Sequence, residues 1–456
     1  MKFVAEACDG LIRRGEAESV VKNVCIDSRK AQAGDLFFAI RGERFDGHDY
    51  LNEVAAKSVK AVVIEQNKVP AKLPKCAVVT VADVRIALGK IASAYRKDFA
   101  LPVVCVGGSN GKTTVKELIA SALRQKLATL WSEASFNNDI GVPLTLLRVG
   151  KDHQAAVLEA GTNHPGELAP LVKMIQPKFG VITNVGREHL EFFGDLAGVA
   201  QEEGRLAELL PADGKLMLNG DNEWSEKVTV RTKAQIVRVG LGEKNNWRAE
   251  KIRLDKNGVS FRVQAPKEAF CGEYRINLLG RHQVTNALFA IAVSEELGLG
   301  RVEIQRGLAD CQPSKMRLQF WEVNGVRVLD DAYNANADST IAALETLCDL
   351  PLQGRRVAVL GDMNELGAHS EAAHAEVGRR AAELGIGQLF AVGKMAPVTA
   401  KAARDSGLKR VIEFMDVEAA MKAVKQFLKA GDVVLLKASR TSRLERIAET
   451  LKSGKA

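Results

Sequence analysis

Short runs of apolar residues recur along the chain, each followed by a stretch in which apolar positions fall three or four apart. Residues 61–64 and 77–79 are continuous apolar runs and predict short buried strands, and the spacing over 84–97 predicts an amphipathic helix. Phe99-Ala100-Leu101-Pro102 reads as a linker, because proline disfavours helix at the residue before it. The pattern then restarts: an apolar run at 103–106, a glycine-rich turn, a helix over 112–127, and further buried strands at 155–158 and 180–183. A third stretch repeats the theme, with strands at 356–360, 389–392 and 433–436 and helices over 371–384 and 417–429. Cys311-Gln312-Pro313-Ser314 reads as a hinge between the last two stretches. The alternation predicts an α/β protein of three domains, 1–98, 99–313 and 314–456, the central one built on a mostly parallel sheet with helices on both faces.

Composition narrows the classes. At 456 residues the chain has room for about two to four domains, and 46% hydrophobic with 26% charged residues is ordinary for a globular protein. No stretch approaches the ~20 apolar residues of a membrane helix, and the first residues show no signal-like apolar run, so a cytoplasmic protein without membrane insertion is expected. The seven cysteines include no CxxC pair and are odd in number, which argues against a disulfide framework or a zinc site. The net charge of +8 is spread along the chain, and aromatics are scarce at 5%. That offers no stacking platform for nucleic acid and suits small anionic ligands instead.

The strongest local signal is Val103-Val104-Cys105-Val106-Gly107-Gly108-Ser109-Asn110-Gly111-Lys112-Thr113-Thr114. A strand runs into a glycine turn that opens a helix. Glycines let backbone N–H groups close around phosphate oxygens, and the helix N-terminus adds positive potential. Lys112 would neutralise the β and γ phosphates of ATP, and Thr113 would offer its hydroxyl to Mg²⁺. The first glycine of the usual pattern is displaced, since Val106 stands where it is expected. Kinases, GTPases and ligases share such loops, so the loop alone does not choose the reaction.

Downstream segments make that choice. The loop, Ser135-Phe136-Asn137-Asn138-Asp139-Ile140-Gly141-Val142-Pro143, Leu158-Glu159-Ala160-Gly161, Thr183-Asn184-Val185-Gly186-Arg187-Glu188-His189-Leu190 and Leu279-Gly280-Arg281-His282-Gln283-Val284-Thr285-Asn286-Ala287 together resemble the Mur ligases, ATP-dependent amide ligases of bacterial cell-wall synthesis. Asp27-Ser28-Arg29, Asp331-Ala332-Tyr333-Asn334-Ala335-Asn336, Leu360-Gly361-Asp362-Met363-Asn364-Glu365-Leu366-Gly367 and Lys437-Ala438-Ser439-Arg440 resemble the members that add D-alanyl-D-alanine (D-Ala-D-Ala) to UDP-N-acetylmuramoyl-tripeptide (UDP-MurNAc-tripeptide). Ala337 and Ala438 depart from the family, which usually has proline and glycine there.

The resemblance implies an N-terminal UDP-sugar-binding domain, a central P-loop ATPase-like domain and a C-terminal Rossmann-like domain that closes over ATP and binds the dipeptide. It implies ATP and Mg²⁺ as cofactors, UDP-MurNAc-tripeptide and D-Ala-D-Ala as substrates, and a monomer. Gly108 through Thr114, Asn286, Arg317 and Asp331 would hold ATP, with Asn286 at the adenine, Arg317 at the γ-phosphate and Asp331 at the ribose. Thr113, Glu159 and His189 would hold magnesium. Ser28 and Arg29 would take the UDP-sugar diphosphate, with the segment 41–48 as a second candidate. Asn334, Asn336, Lys437, Ser439 and Arg440 would serve closure and the dipeptide. Many family members have, fourteen residues after the histidine, a lysine that CO₂ converts to a carbamate; here that position is Glu203. A catalytic set of Lys112, His189, Glu203 and Arg317 follows, with Glu203 as an encoded carboxylate in place of the carbamate.

Overall fold

The computed structural model describes residues 1–453. Its strands form sheets of five, nine and six strands, and the chain divides into two compact units. Among the described residues no helix is long and apolar enough to cross a membrane. The seven cysteines form no disulfide among those residues.

The first unit comprises residues 1–105, 128–161 and 168–178. Its five-stranded sheet runs Leu11–Arg14, Ala77–Val81, Ala61–Glu65, Leu36–Phe38, Val24–Cys25, with only the Leu11–Arg14 edge antiparallel. Both faces are buried, which is why the runs at 61–64 and 77–79 are continuous rather than alternating. Phe38, Ala61, Val63 and Val79 belong to one core, and Phe37, Val62, Ile64 and Val78 to the other, as the two-residue period of a strand requires. The helix Val84–Arg96 caps the first face and is itself capped by Asp83, whose side chain accepts from Ile86 N–H. Thr129–Trp131 and Ala155–Glu159 pair in parallel in the same unit.

The second unit comprises 106–127, 162–167 and 179–456. Phe179–Ile182, Lys215–Asn219, Gln235–Gly240 and Trp247–Asp255 run in parallel; Gly258–Gln264 and Gly272–Ile276 then add antiparallel edges. The sheet of the central stretch is mostly parallel, as expected, with antiparallel pairing at this edge. The added hairpins keep one face dry: Val259, Phe261 and Val263 are buried while Arg262 is exposed. The six-stranded sheet runs Gln319–Val323, Val326–Asp331, Val433–Lys437, Arg356–Gly361, Gln388–Val392, Val411–Phe414, antiparallel only at its first pair.

The helix expected over 112–127 ends at Leu123. Gln125 N–H donates to Ala122 O and Lys126 N–H to Leu123 O, the tighter bonding of a closing turn. Other expected elements agree with the observed ones to within one or two residues at their ends, including Val84–Arg96, Ser370–Glu383 and Val417–Phe427.

Candidate active site

The glycine loop takes its shape from two residues that no side chain would tolerate. Gly108 has φ +106° and Gly111 φ +86°. A Cβ on Gly108 would fall 2.7 Å from Thr183 N and 3.0 Å from Asn184 O; on Gly111 it would fall 2.8 Å from Asn286 Oδ1. Gly111 is the N-cap of the helix Lys112–Leu123, so the positive helix end faces the loop.

The loop is braced by the segment after the strand Phe179–Ile182. Ser109 N–H donates to Asn184 O at 2.9 Å, and Asn110 N–H to Asn184 Oδ1 at 3.1 Å. Ser109 Oγ accepts from Gly186 N–H at 2.8 Å. Lys112 Nζ donates to Gly108 O and Ser109 O and pairs with Glu188 Oε2 at 3.3 Å. Thr113 is 2% exposed.

Glu203 lies on the helix Leu196–Leu209, and its Oε2 accepts from Gly108 N–H at 2.6 Å. Burial pushes its carboxyl up, Lys112 pulls it down and Glu188 pushes it up again. One oxygen of each of Glu188 and Glu203 is buried without a hydrogen-bond partner. His189 has a left-handed backbone, φ +48°, and its Nδ1 bonds the Glu365 carboxylate. A carboxylate only accepts, so Nδ1 donates in this pair, and Nε2 lies 3.9 Å from Glu188 Oε2. In this arrangement Glu203 sits on the loop amide, and Glu188 is the carboxylate facing both Lys112 and His189.

Arg317 lies between two residues in left-handed conformation, Met316 at φ +57° and Leu318 at φ +49°. Side chains resist that region by about 1–2 kcal/mol per residue, and such strain gathers at functional turns. Asp331 holds the turn: its Oδ1 accepts from Leu318 N–H at 3.0 Å, and its Oδ2 pairs with Lys437 Nζ at 2.6 Å. The Arg317 guanidinium lies over the Tyr333 ring, 4.3 Å from its centre. It lines a crevice with Thr114, Glu117, Gln283 and Pro313, which brings the segment 311–314 to the helix that the loop opens. Asn286 is buried at that side too, donating to Gln283 Oε1 at 2.8 Å.

The remaining C-terminal candidates are tied together. Lys437 Nζ donates to Asn334 O at 3.0 Å. Asn336 caps the helix Ala337–Asp349 in a reciprocal pair with Ser339, and its Nδ2 donates to Asn110 Oδ1 at 2.9 Å. Ala337 is the first residue of that helix, a position proline also suits, so the departure from the family is mild. Ser439 Oγ accepts from Asn364 N–H at 2.9 Å, and Arg440 pairs with Glu445 at 3.1 Å.

In the first unit, Glu159 ends its strand 1% exposed. Its Oε1 accepts from Asn137 Nδ2 at 2.8 Å and its Oε2 is buried without a partner. Ser28 is buried in a turn where Arg29 forks onto Asp27 through Nε at 2.9 Å and Nη2 at 2.8 Å. Those hydrogen bonds hold the Asp27 carboxyl down at about 2. In the segment 41–48, Asp46 ties His48 and Lys68, and Phe45 is exposed.

Among the described residues no three His, Cys, Asp or Glu side chains converge as a ready-made metal cluster. Magnesium commonly keeps waters and binds one or two carboxylates plus substrate phosphates, so separate donors suit it. Glu188, Glu365 and Asn184 were missed as individual site residues. Glu188 was legible only as the neighbour of His189, and nothing local marks Glu365 as its partner.

The profile of the Mur ligase family catalytic domain matches residues 20–96, the Mur ligase middle domain 106–294, and the Mur ligase glutamate ligase domain 316–440. The chain is 36% identical to UDP-N-acetylmuramoyl-tripeptide–D-alanyl-D-alanine ligase of Escherichia coli over 95% of this chain and 94% of that one. It is similar to a crystal structure of MurF from Acinetobacter baumannii, with a TM-score of 0.89, 31% identity, and coverage of 99% of this chain and 98% of that one. A MurF ligase structure from Thermotoga maritima in complex with ADP matches at a TM-score of 0.82 and 26% identity, over 96% of this chain and 98% of that one. With relatives above 30% identity along nearly its full length, each family profile in order and a braced glycine loop at its centre, the chain belongs to the Mur ligase family.

Proposed function

We propose that the residues described above serve an ATP-dependent amide ligation that passes through an acyl phosphate. The chain is a ligase of peptidoglycan synthesis that adds D-alanyl-D-alanine to UDP-N-acetylmuramoyl-tripeptide. A carboxylate is a poor acylating agent at neutral pH. In the proposed sequence its oxygen attacks the γ-phosphorus of ATP, ADP leaves, and the dipeptide amine then attacks the acyl carbon and expels phosphate. The protein's work is to bring anions together and hold them in line.

Lys112, donated across the mouth of the glycine loop, is the observation that carries this reading. On arrival of nucleotide its ammonium exchanges the Gly108 and Ser109 carbonyls for phosphate oxygens. Asn286 meets the adenine side, and Arg317 in its strained turn reaches the γ-phosphate. Asp331, which the ribose assignment needs as an acceptor, is engaged by Lys437 and Leu318 N–H, so it acts at least as much by fixing the Arg317 turn. Ser28 and Arg29 take the UDP diphosphate; Asn334, Asn336, Lys437, Ser439 and Arg440 form the dipeptide and closure side.

Magnesium, when bound, neutralises phosphate charge. Thr113 and His189 of the second unit would hold it, and in the first unit Glu159, with one carboxylate oxygen buried and unpartnered, is the further candidate. Imidazole is a second-choice ligand for so hard a cation, and the Glu365 anchor offsets this by fixing the tautomer. Glu203 supplies an encoded carboxyl group where relatives carbamylate a lysine, so turnover needs no bicarbonate. The enzyme works as a cytoplasmic monomer, with domain boundaries near 98 and 313.

Phosphate release is measured with ATP, magnesium and UDP-MurNAc-tripeptide, with and without D-Ala-D-Ala. Dipeptide-dependent release and a heavier UDP-linked product are expected. Equal turnover on a single D-alanine would refute the substrate assignment.

A further inference from the structure

The segment 184–189 has two faces. Its even-numbered members meet the glycine loop: Asn184 binds Ser109 and Asn110, Gly186 binds Ser109, and Glu188 pairs with Lys112. Its odd-numbered members 187 and 189 turn the other way, onto helices and loops of the six-stranded sheet. Arg187 N–H donates to Asp338 Oδ2 at 2.8 Å, its Nε to Asp338 Oδ1 at 2.8 Å, and its Nη1 and Nη2 fork onto both oxygens of Glu376. His189 reaches Glu365. The chain bends at Arg187, where Glu188 N–H closes onto Gly186 O at 2.9 Å, so the Arg187 and Glu188 side chains leave it in different directions.

We propose that Arg187 is a positioning residue that seats the helices Ala337–Asp349 and Ser370–Glu383 over the glycine loop, so that the loop's occupancy and the C-terminal domain's placement are read by one six-residue strap. A guanidinium suits the task because its planar fork grips two carboxylates at once, which an ammonium does not. All of its nitrogens are engaged in the two pairs. Asp338 sits in the first turn of its helix, where a carboxylate complements the positive helix end. A second thread runs parallel to the strap, from Asn336 to Asn110 of the loop. When the loop shifts around a nucleotide, backbone joined at Asn184, Gly186 and Glu188 moves with it, and Arg187 carries that shift to Asp338 and Glu376.

This inference rests on the loop being the ATP site. Its test uses the full-length enzyme with ATP, UDP-MurNAc-tripeptide and D-Ala-D-Ala, and wild type is run in parallel: failure of wild type to make ADP strikes the ligase reading, not the strap. Arg187→Ala is expected to lower kcat by about tenfold to a hundredfold, the scale of a small misplacement of reacting groups, while leaving KM for the UDP-linked substrate within about threefold. Arg187→Lys recovers part of the loss. Glu376→Gln lowers kcat less, and the double variant Arg187→Ala/Glu376→Gln is no slower than Arg187→Ala, because one contact is broken twice. Arg380→Ala, which removes an ion pair with Glu345 on the same domain, leaves kcat unchanged. Hydrogen exchange rises at 337–340 in Arg187→Ala. A kcat within twofold of wild type, or fully additive losses in the double variant, would overturn the proposal. Should Arg187→Ala not fold, Asp338→Asn and Glu376→Gln carry the same kcat test.

Discussion

Replacing Gly108 by alanine tests whether the loop's shape is what binds nucleotide. The residue sits at φ +106°, outside the wells of an L side chain, and holding alanine there costs on the order of 1–3 kcal/mol. A new Cβ also meets Thr183 Oγ1 at 2.3 Å, Thr183 N at 2.7 Å and Asn184 O at 3.0 Å. Two of those atoms are backbone, so no rotamer change relieves them. The loop must shift, and with it the Gly108 N–H bond to Glu203, whose loss leaves a buried group unsatisfied at about 1–3 kcal/mol. Together the terms give about 3 kcal/mol or more, roughly a hundredfold in affinity if the loop is strained back into place on binding. Gly407→Ala is the control: its φ is +96° and nothing lies within 4 Å of its Cβ, so it carries the conformational term alone. Isothermal titration with magnesium and ADP should show at least a tenfold weaker Kd for Gly108→Ala and no change for Gly407→Ala, on the ~1.4 kcal/mol-per-decade scale. ADP binding by Gly108→Ala within threefold of wild type would refute the reasoning, since the strained geometry would then be irrelevant to the ligand.

Other outcomes follow from the same geometry. Burial raises the Glu203 carboxyl, so the folded chain keeps that proton longer than the unfolded one, and this group's contribution to stability falls as pH climbs above the ordinary carboxylate range. Glu203→Gln should therefore gain in thermal stability over wild type between pH 5 and pH 8; parallel melting profiles would show that the carboxyl is not destabilised by burial. CO₂-depleted wild type should not be stimulated by added bicarbonate, and strong stimulation would remove Glu203 from the carbamate's role. Arg317→Ala should lower kcat by about a hundredfold or more with an unchanged melt, as loss of a charge-stabilising donor does; near-normal turnover would exclude it from the γ-phosphate. Lys437 is 2% exposed and paired with Asp331, so Lys437→Met strands a partly buried carboxylate and should cost about 3–5 kcal/mol in chemical denaturation. Adding Asp331→Asn should restore part of that loss, and simple additivity would argue that the pair is not coupled.

What the sequence determined was local. The strand Ala61–Glu65 was legible because both its faces are buried, making it apolar without alternation; the glycine loop was legible because left-handed backbone at Gly108 and Gly111 demands that residue type. The hairpin strands from Trp247 to Ile276 went unread although Val259, Phe261 and Val263 alternate, since a half-polar strand bordered by charged residues looks much like a loop. The helix after the loop overran by four residues because no glycine or proline marks its end. Tertiary structure alone decided the pairings. Glu203 lies 95 residues from the amide it accepts, and Arg187 lies 189 residues from Glu376. Backbone preference and amphipathic period act over a few residues and are written in neighbouring letters. Which carboxylate meets which cation depends on where the sheets bring distant segments, and a buried charge adopts its partner only once water has been excluded.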